Sequence, residues 1–337
     1  MRTLLTALVV AQVVGWAVPT DSVAASHSQT VIVVVGASGT PEYATEFARW
    51  AGLWEQACSR GGAQFVAIGL DEDNASPDRE KIQRTLAEPS QQTTAPLWLV
   101  LIGHGTFDGR TARFNLRGSD LAASDLAEWL KPIGRPIAII NTASASAPFL
   151  KELSAPGRVV ITATQSGFEY NYARFGQYLA EAIAQPQADL DKDGQTSLLE
   201  AWLTASHTVG AFYTAAGRLA TEHALLDDNG DGLGTPAEWF RGIRPAQKAS
   251  DDATEPASPS HIRDGYRAHQ FHLVASPTET ALPPRLRARR DQLELQIMDL
   301  RDKKAQFSET EYFTQLEPLL REMAQIHEQI EPVGAAG

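Results

Sequence analysis

Two twelve-residue segments carry oxygen donors at the spacing that a calcium ion needs. In residues 189–200, DLDKDGQTSLLE, Asp189, Asp191 and Asp193 stand at loop positions 1, 3 and 5, Gly194 at position 6 and Glu200 at position 12. In residues 227–238, DDNGDGLGTPAE, the same positions hold Asp227, Asn229, Asp231, Gly232 and Glu238. Calcium takes about six to eight hard oxygens; alternate residues of a tight loop turn inward, a glycine allows the sharp bend, and a final glutamate closes the shell with two oxygens. Gln195 and Leu233, at position 7, offer backbone carbonyls. The loops start 38 residues apart, the spacing of paired EF-hands, which predicts intervening helices over 198–215 and 217–226. Position 8 departs from the usual pattern: Thr196 and Gly234 replace the aliphatic residue through which paired loops join. The competing reading is a pair of Asp/Gly turns that bind nothing. Extracellular calcium is plentiful, which favours constitutive structural sites over sensing ones.

A second set of chemically capable residues follows two apolar runs. LWLVLIGHGTFDG leads into Gly103, His104 and Gly105, and IAIINTASASAPF leads into Asn141, Thr142, Ala143 and Ser144. An imidazole flanked by glycines has backbone room for a substrate and can act as general base or acid. A loop histidine making local hydrogen bonds is the plainer alternative. Cys58 falls mid-helix, away from these ends, and reads as a buried apolar residue. Ser166, in TATQSGFEY, reads first as a loop hydroxyl bonding locally. His269 and His272 have metal-compatible spacing but no evident third ligand. Gly36 to Gly39 follows a strand without a GxGxxG pattern or Walker lysine, so nucleotide binding is not expected.

The elements that must position these residues are legible from 30 to about 183. Short apolar runs at 31–35, 65–68, 97–102, 136–140 and 159–164 alternate with amphipathic stretches at 43–59, 79–86 and 120–130. Strands apolar on both faces, separated by helices, predict an α/β fold with a doubly wound, mostly parallel sheet covered on both sides. Functional groups of such sheets gather at the carboxyl ends of the strands, where His104 and Ser144 fall. The predicted organisation is a signal segment over 1–25, an α/β domain over 26–185, a helical segment with the two acidic loops over 186–243, a linker over 244–284 and a helical hairpin over 285–331. Within the linker, 268–274 reads as a short strand. The hairpin stripes are Leu286, Leu293, Ile297 and Leu300, then Leu316, Leu320, Met323, Ile326 and Ile330. Ser308 and Glu311 form a capping box, and Pro318 is a kink candidate.

The formal charge of −12 argues against nucleic acid or an anionic membrane as the main partner and suits a protein that binds divalent cations. A single cysteine excludes an internal disulfide. Arg2, the apolar run 4–18 and Val23-Ala24-Ala25 have the form of a secretory signal with Ser26 as mature start, so the protein is expected to be exported, periplasmic or secreted, with no membrane span after cleavage.

LVLIGHG and AIINTAS, in this order, resemble the hallmark blocks of the caspase-like cysteine peptidases, the group that includes legumains, gingipains and caspases. The likeness covers roughly residues 30–185. GHGTFDG, FNLRGSDL, NTASAS and ATEHALLDDNGDG are in addition similar to a group of bacterial relatives. The resemblance implies a caspase-like fold, with His104 at the catalytic histidine, Gly105 beside it, and Ser144 where the catalytic cysteine belongs. A thiol of pKa about 8.5 is readily activated by histidine, whereas a serine hydroxyl needs an oriented base and an oxyanion hole. Asp108 and Asp120 are near in sequence as orienting groups. Three readings follow: a non-catalytic, peptidase-like protein that holds a peptide or protein in the strand-end cleft; a serine-dependent hydrolase with Ser144 as nucleophile, His104 as base, and amides near Gly105 and Ser144 as oxyanion donors; or an unrelated function of the same fold. The hairpin would serve the first as a protein-binding arm.

Overall fold

A computed structural model describes residues 28–71, 76–88, 93–247 and 262–329. The signal-like segment and Ile330 lie outside these residues. In chain order the first half comprises β1 (Thr30–Val35), α1 (Pro41–Gly61), β2 (Gln64–Ile68), α2 (Asp78–Ala87) and β3 (Leu97–Ile102). A three-stranded antiparallel flap follows, of β4 (Gly105–Phe107), β5 (Ala112–Phe114) and β6 (Leu121–Ala122). Then come α3 (Ala123–Leu130), β7 (Ile137–Asn141), α4 (Ala147–Leu153) and β8 (Arg158–Thr162). The second half comprises α5 (Phe175–Ala184), α6 (Leu198–Ala215), β9 (Leu225–Asp227), β10 (Thr235–Pro236), β11 (Phe240–Arg241) and β12 (Arg244–Pro245). It ends with α7 (Tyr266–His269), α8 (Pro277–Ala281), α9 (Pro284–Asp302) and α10 (Glu309–Glu328).

The central sheet runs β10-β9-β8-β7-β3-β1-β2. Strands β2, β1, β3, β7 and β8 are parallel, and β9 and β10 add antiparallel pairings at one edge. The mixed α/β architecture with a mostly parallel sheet is the one expected from the alternating apolar runs. Successive side chains of β1 serve opposite faces. Val31, Val33 and Val35 join Phe47, Trp50 and Trp54 of α1 in one core, and Ile32 and Val34 join Ile82, Leu126 and Phe149 in the other. Chain order reverses between β1 and β3, so the loops leaving their carboxyl ends diverge and open a crevice.

Four local readings differ from the structure. The helix expected from residue 120 starts at Ala123, because Leu121 and Ala122 pair with β5. No helix forms over 217–226: α6 ends before Gly217, which takes φ 62, and the chain enters β9 on the edge of β8. The segment 268–274 is not a strand but contains the end of α7 and a single bridge, His272 to Ser197. In the hairpin the inward stripe of α10 uses Leu319 beside Met323 and Ile326, while Leu320 is exposed. The hairpin itself forms as expected, with the Ser308–Glu311 capping box in place and Pro318 inside α10. Among the described residues no helix is long and apolar enough to cross a membrane.

Residues 262–276, within the stretch read as linker, form a strap packed on the same face of the sheet as α1. Phe271 is 3 % exposed and meets the Trp98 ring edge-on at 5.5 Å. Gln29 ties the two segments, accepting from Trp98 Nε1 at 2.7 Å and donating to the His272 carbonyl at 2.6 Å. Ala268 and Leu273 are buried in the same core. Truncating Phe271 to Ala should therefore cost about 3–5 kcal/mol in denaturant unfolding, the range for a buried aromatic. A loss under about 0.5 kcal/mol, typical of surface positions, would mark the strap as peripheral.

Candidate functional site

His104 leaves the carboxyl end of β3 at the reversal point of the sheet. Its backbone is pinned by Asn115, whose N–H donates to the His104 carbonyl at 2.9 Å. Its ring is boxed by Tyr43 at 4.8 Å and Phe47 at 5.3 Å between centroids, both on α1. Nε2 lies 3.2 Å from the carbonyl of Ser38, in the loop after β1. A carbonyl only accepts, so this contact assigns a proton to Nε2, and the neutral tautomer it selects is the one with its lone pair on Nδ1. Neither nearby aspartate orients the ring. Asp108 accepts from the N–H groups of Arg110 and Thr111 and from Arg113, which with those amides holds its carboxyl down at about 2. Asp120 accepts from the Leu116 amide.

Ser144 stands in the turn from β7 into α4. Ala145 behind it adopts φ 54, a left-handed conformation that costs a residue with a Cβ about 1–2 kcal/mol. The turn is held by surrounding bonds. Ala143 N donates to Asn141 Oδ1 at 3.1 Å, Ala145 N to the Glu169 carbonyl at 2.9 Å, and Ala147 N to Thr164 Oγ1 at 3.0 Å. The two strand-end turns touch: a Cβ on Gly105 would fall 2.2 Å from the Ser144 carbonyl oxygen. The structure thus brings Gly105 and Ser144 together. Ser144 is 5 % exposed and its hydroxyl donates to the Gly105 carbonyl at 3.4 Å. Among the described residues no hydrogen bond joins that hydroxyl to the His104 imidazole.

Beside these turns lies an aromatic shelf absent from the sequence reading. Phe107 of the flap packs on Phe168 at 5.3 Å, and Phe168 on Tyr170 at 6.1 Å. Phe168 is 64 % and Tyr170 54 % exposed. The signal for it was available, since two aromatics in the Gly/Ser loop after a buried strand have little else to do than face the strand-end cleft. Ser166 accepts from Phe168 N at 3.1 Å, the local bond expected of a loop hydroxyl. Cys58 is buried in α1, and burial pushes its thiol up to about 12, so it is no nucleophile at neutral pH.

The two acidic loops fold alike. At position 1, Asp189 accepts from Lys192 N at 2.7 Å and Gly194 N at 3.1 Å, and Asp227 accepts from Gly230 N and Gly232 N, both at 2.9 Å. At position 3, Asp191 and Asn229 accept from the amides of Asp193 and Asp231, at 3.2 and 2.8 Å. At position 5, Asp193 and Asp231 accept from Gln195 N and Leu233 N, at 3.0 and 2.9 Å. Positions 4 and 6 are left-handed in both, with φ 67 and 89 at Lys192 and Gly194 and φ 80 and 76 at Gly230 and Gly232. Carboxylate oxygens of Asp189, Asp191 and Asp193 come within 4.8 Å of one another, the span of a shell with bonds of about 2.3–2.6 Å. Burial, with Glu200 and Asp193 beside it, raises the Asp191 carboxyl. An all-oxygen donor set of crowded acids fits a hard divalent cation. Glu200 is fully buried at the start of α6, while Glu238 is exposed on the turn Ala237–Trp239 and lines a cavity of about 680 Å³ with His207 and Phe240. His269 Nε2 lies 3.4 Å from Asp191 Oδ2; burial lowers the neighbouring His272 to about 4, and the two form no metal group with a third ligand among the described residues.

No family model matches the chain, and no curated protein does. Among solved structures it is similar to the Drosophila initiator caspase Dronc, at 12% identity and a TM-score of 0.35, over 59% of this chain and 79% of that one. It is also similar to caspase-1 from Spodoptera frugiperda, at 10% identity and a TM-score of 0.38, over 63% of this chain and 93% of that one. At these TM-scores neither likeness assigns a residue a role.

The contact between the two turns sets a measurable limit. Gly105→Ala should destabilise the protein by about 1–3 kcal/mol, as overpacking does, read as a lowered denaturant midpoint. An unchanged midpoint would mean that the turns do not touch.

Proposed function

We propose that this chain is an exported, calcium-braced protein of caspase-like architecture that holds a peptide or partner segment at the strand-end cleft without cutting it. The observation that carries the non-cleaving reading is the orientation of Ser144. Its covered hydroxyl points to the Gly105 carbonyl, 3.4 Å away, and the His104 imidazole bonds the Ser38 carbonyl. A serine hydroxyl attacks only when a base takes its proton, and here the pair lacks that bond. The caspase-like reading rests on the ordered GHG and TAS blocks, and export on the signal-like residues 1–25. Binding without cleavage is supported by the exposed aromatics Phe168 and Tyr170, which suit the apolar side chains of a peptide. The exposed Phe313 and Leu320 of α10 suit a role for the hairpin as a protein-binding arm.

A serine-dependent hydrolase is the second reading, with Ser144 as nucleophile and His104 as base. It draws on the strained turn at Ala145 and on the open Nδ1 of His104. The two readings part in one assay. The non-cleaving protein shows no turnover of a fluorogenic peptide library, yet Ser144→Cys is labelled by a peptide-based thiol electrophile. Turnover by the unmodified chain that Ser144→Ala abolishes would establish the hydrolase, and failure of Ser144→Cys to label would count against a peptidase-like cleft.

The acidic loops are the braces in this reading. An ion that binds only the folded state adds about 2.7 kcal/mol at a hundredfold excess over its Kd. Chelation with EGTA should then lower the melting temperature by several degrees, on the order of 2–4 °C per kcal/mol for a chain of this size class. A melting curve that chelator leaves in place would remove calcium from the account.

A further inference from the structure

Loop 1 shows how its closing carboxylate is used. Glu200 Oε1 accepts from the amides at positions 2 and 3, Leu190 N at 2.7 Å and Asp191 N at 3.1 Å. Its Oε2 accepts from position 9, the amide and hydroxyl of Ser197, both at 2.8 Å. Helix α6 makes this possible: Ser197 is its N-cap and Glu200 its third residue, so the capping box folds the glutamate back over the loop.

No α-helix follows loop 2. From position 9 the chain runs into β10 and the turn Ala237–Trp239, and an extended chain carries a side chain away at about 3.3 Å per residue. Glu238 ends up exposed. Its contacts are made instead by Asp264, on the strap. Asp264 Oδ1 accepts from positions 2 and 3 of loop 2, Asp228 N at 2.9 Å and Asn229 N at 3.1 Å. Asp264 Oδ2 accepts from position 9, the hydroxyl of Thr235, at 2.5 Å. These are the same loop positions that Glu200 bonds in loop 1.

Asp227, Asp228 and Asp264 are 1, 3 and 3 % exposed. Arg267 reaches the backbone carbonyl of Asp228 at 3.3 Å, and no ion pair among the described residues joins a cationic side chain to any of the three carboxylates. Buried carboxylates that form no ion pair suit a bound cation. Asp228 is occupied elsewhere, capping α7 through Gly265 N at 3.0 Å and Ala268 N at 2.7 Å. Asp264 faces the loop.

We propose that the second calcium site is closed in trans by Asp264, and that Glu238, which the loop pattern nominates, is not a ligand. The assignment rests on the calcium reading above and sharpens it. The site is then built from Asp227, Asn229, Asp231, the Leu233 carbonyl and Asp264, and its ion cross-links β9 to the strap that carries the hairpin.

Calcium titration of the full chain by isothermal calorimetry, with Asp264→Asn and Glu238→Gln beside the unmodified protein, tests it. Asp264→Asn keeps an acceptor but removes the charge; it should abolish one of two binding events, while Glu238→Gln retains both. Loss of a site in Glu238→Gln with none in Asp264→Asn, or no loss in either, would overturn the assignment. Should the unmodified chain bind a single ion that Asp189→Asn removes, loop 2 is empty and the proposal falls while loop 1 keeps the calcium reading; no binding at all removes both. If Asp264→Asn does not fold, a crystal of the unmodified chain grown with calcium decides, by whether an oxygen of Asp264 or of Glu238 lies about 2.3–2.6 Å from the ion.

Discussion

A sheet whose strands are apolar on both faces has to be covered twice, and the rest of this molecule follows from how the two covers are supplied. One face is met by α2, α3 and α4, which come from the crossovers themselves. The other is met by α1, α5 and α6 and then by Ala268, Phe271 and Leu273 from far along the chain. That last contribution is unusual for a crossover fold, because no strand follows it to hold it down. The strap needs other fasteners.

Those fasteners are the acidic loops. Loop 2 grips one end of the strap through Asp228, which caps α7, and through Asp264, which caps the loop in return. Loop 1 grips the other end: the Gln195 side chain accepts from Ser276 N at 3.0 Å, Leu198 N donates to the Phe271 carbonyl at 2.8 Å, and His269 leans on Asp191. Both loops therefore touch the same fifteen or so residues at opposite ends, a layout in which an ion held by either loop would add tertiary stability rather than local order.

At the other end of the sheet, the reversal between β1 and β3 supplies the crevice, and tight backbone contacts decide what it can do. Gly105 lets the flap lie on the carbonyl of Ser144, whose hydroxyl points to the Gly105 carbonyl. The aromatic box of Tyr43 and Phe47 holds His104 toward Ser38. What stays open is the shelf of Phe168 and Tyr170, apolar and solvent-facing, beside a histidine and a serine that do not meet.

Much of this was legible in the residues taken alone. The five parallel strands follow from runs such as VIVVV and LWLVLI, and the turn of each acidic loop follows from Asp, Asn and Gly at fixed offsets, because these are preferences settled within a few residues. The capping boxes at Ser197 and Ser308 are of the same kind. Contacts between distant segments were not legible. Residues 262–276 read as linker because their composition is mixed and only Trp98 and Gln29, far upstream, give Phe271 and His272 a place. The loop pattern nominates Glu238, and only the missing α-helix after loop 2 leaves it exposed while Asp264 faces the loop. Sequence alone determined which residues could bind, cap or line a strand, since that is a matter of side-chain chemistry and local period. The tertiary structure decided which carboxylate faces which loop and where the Ser144 hydroxyl points, since both depend on how close two remote backbones come.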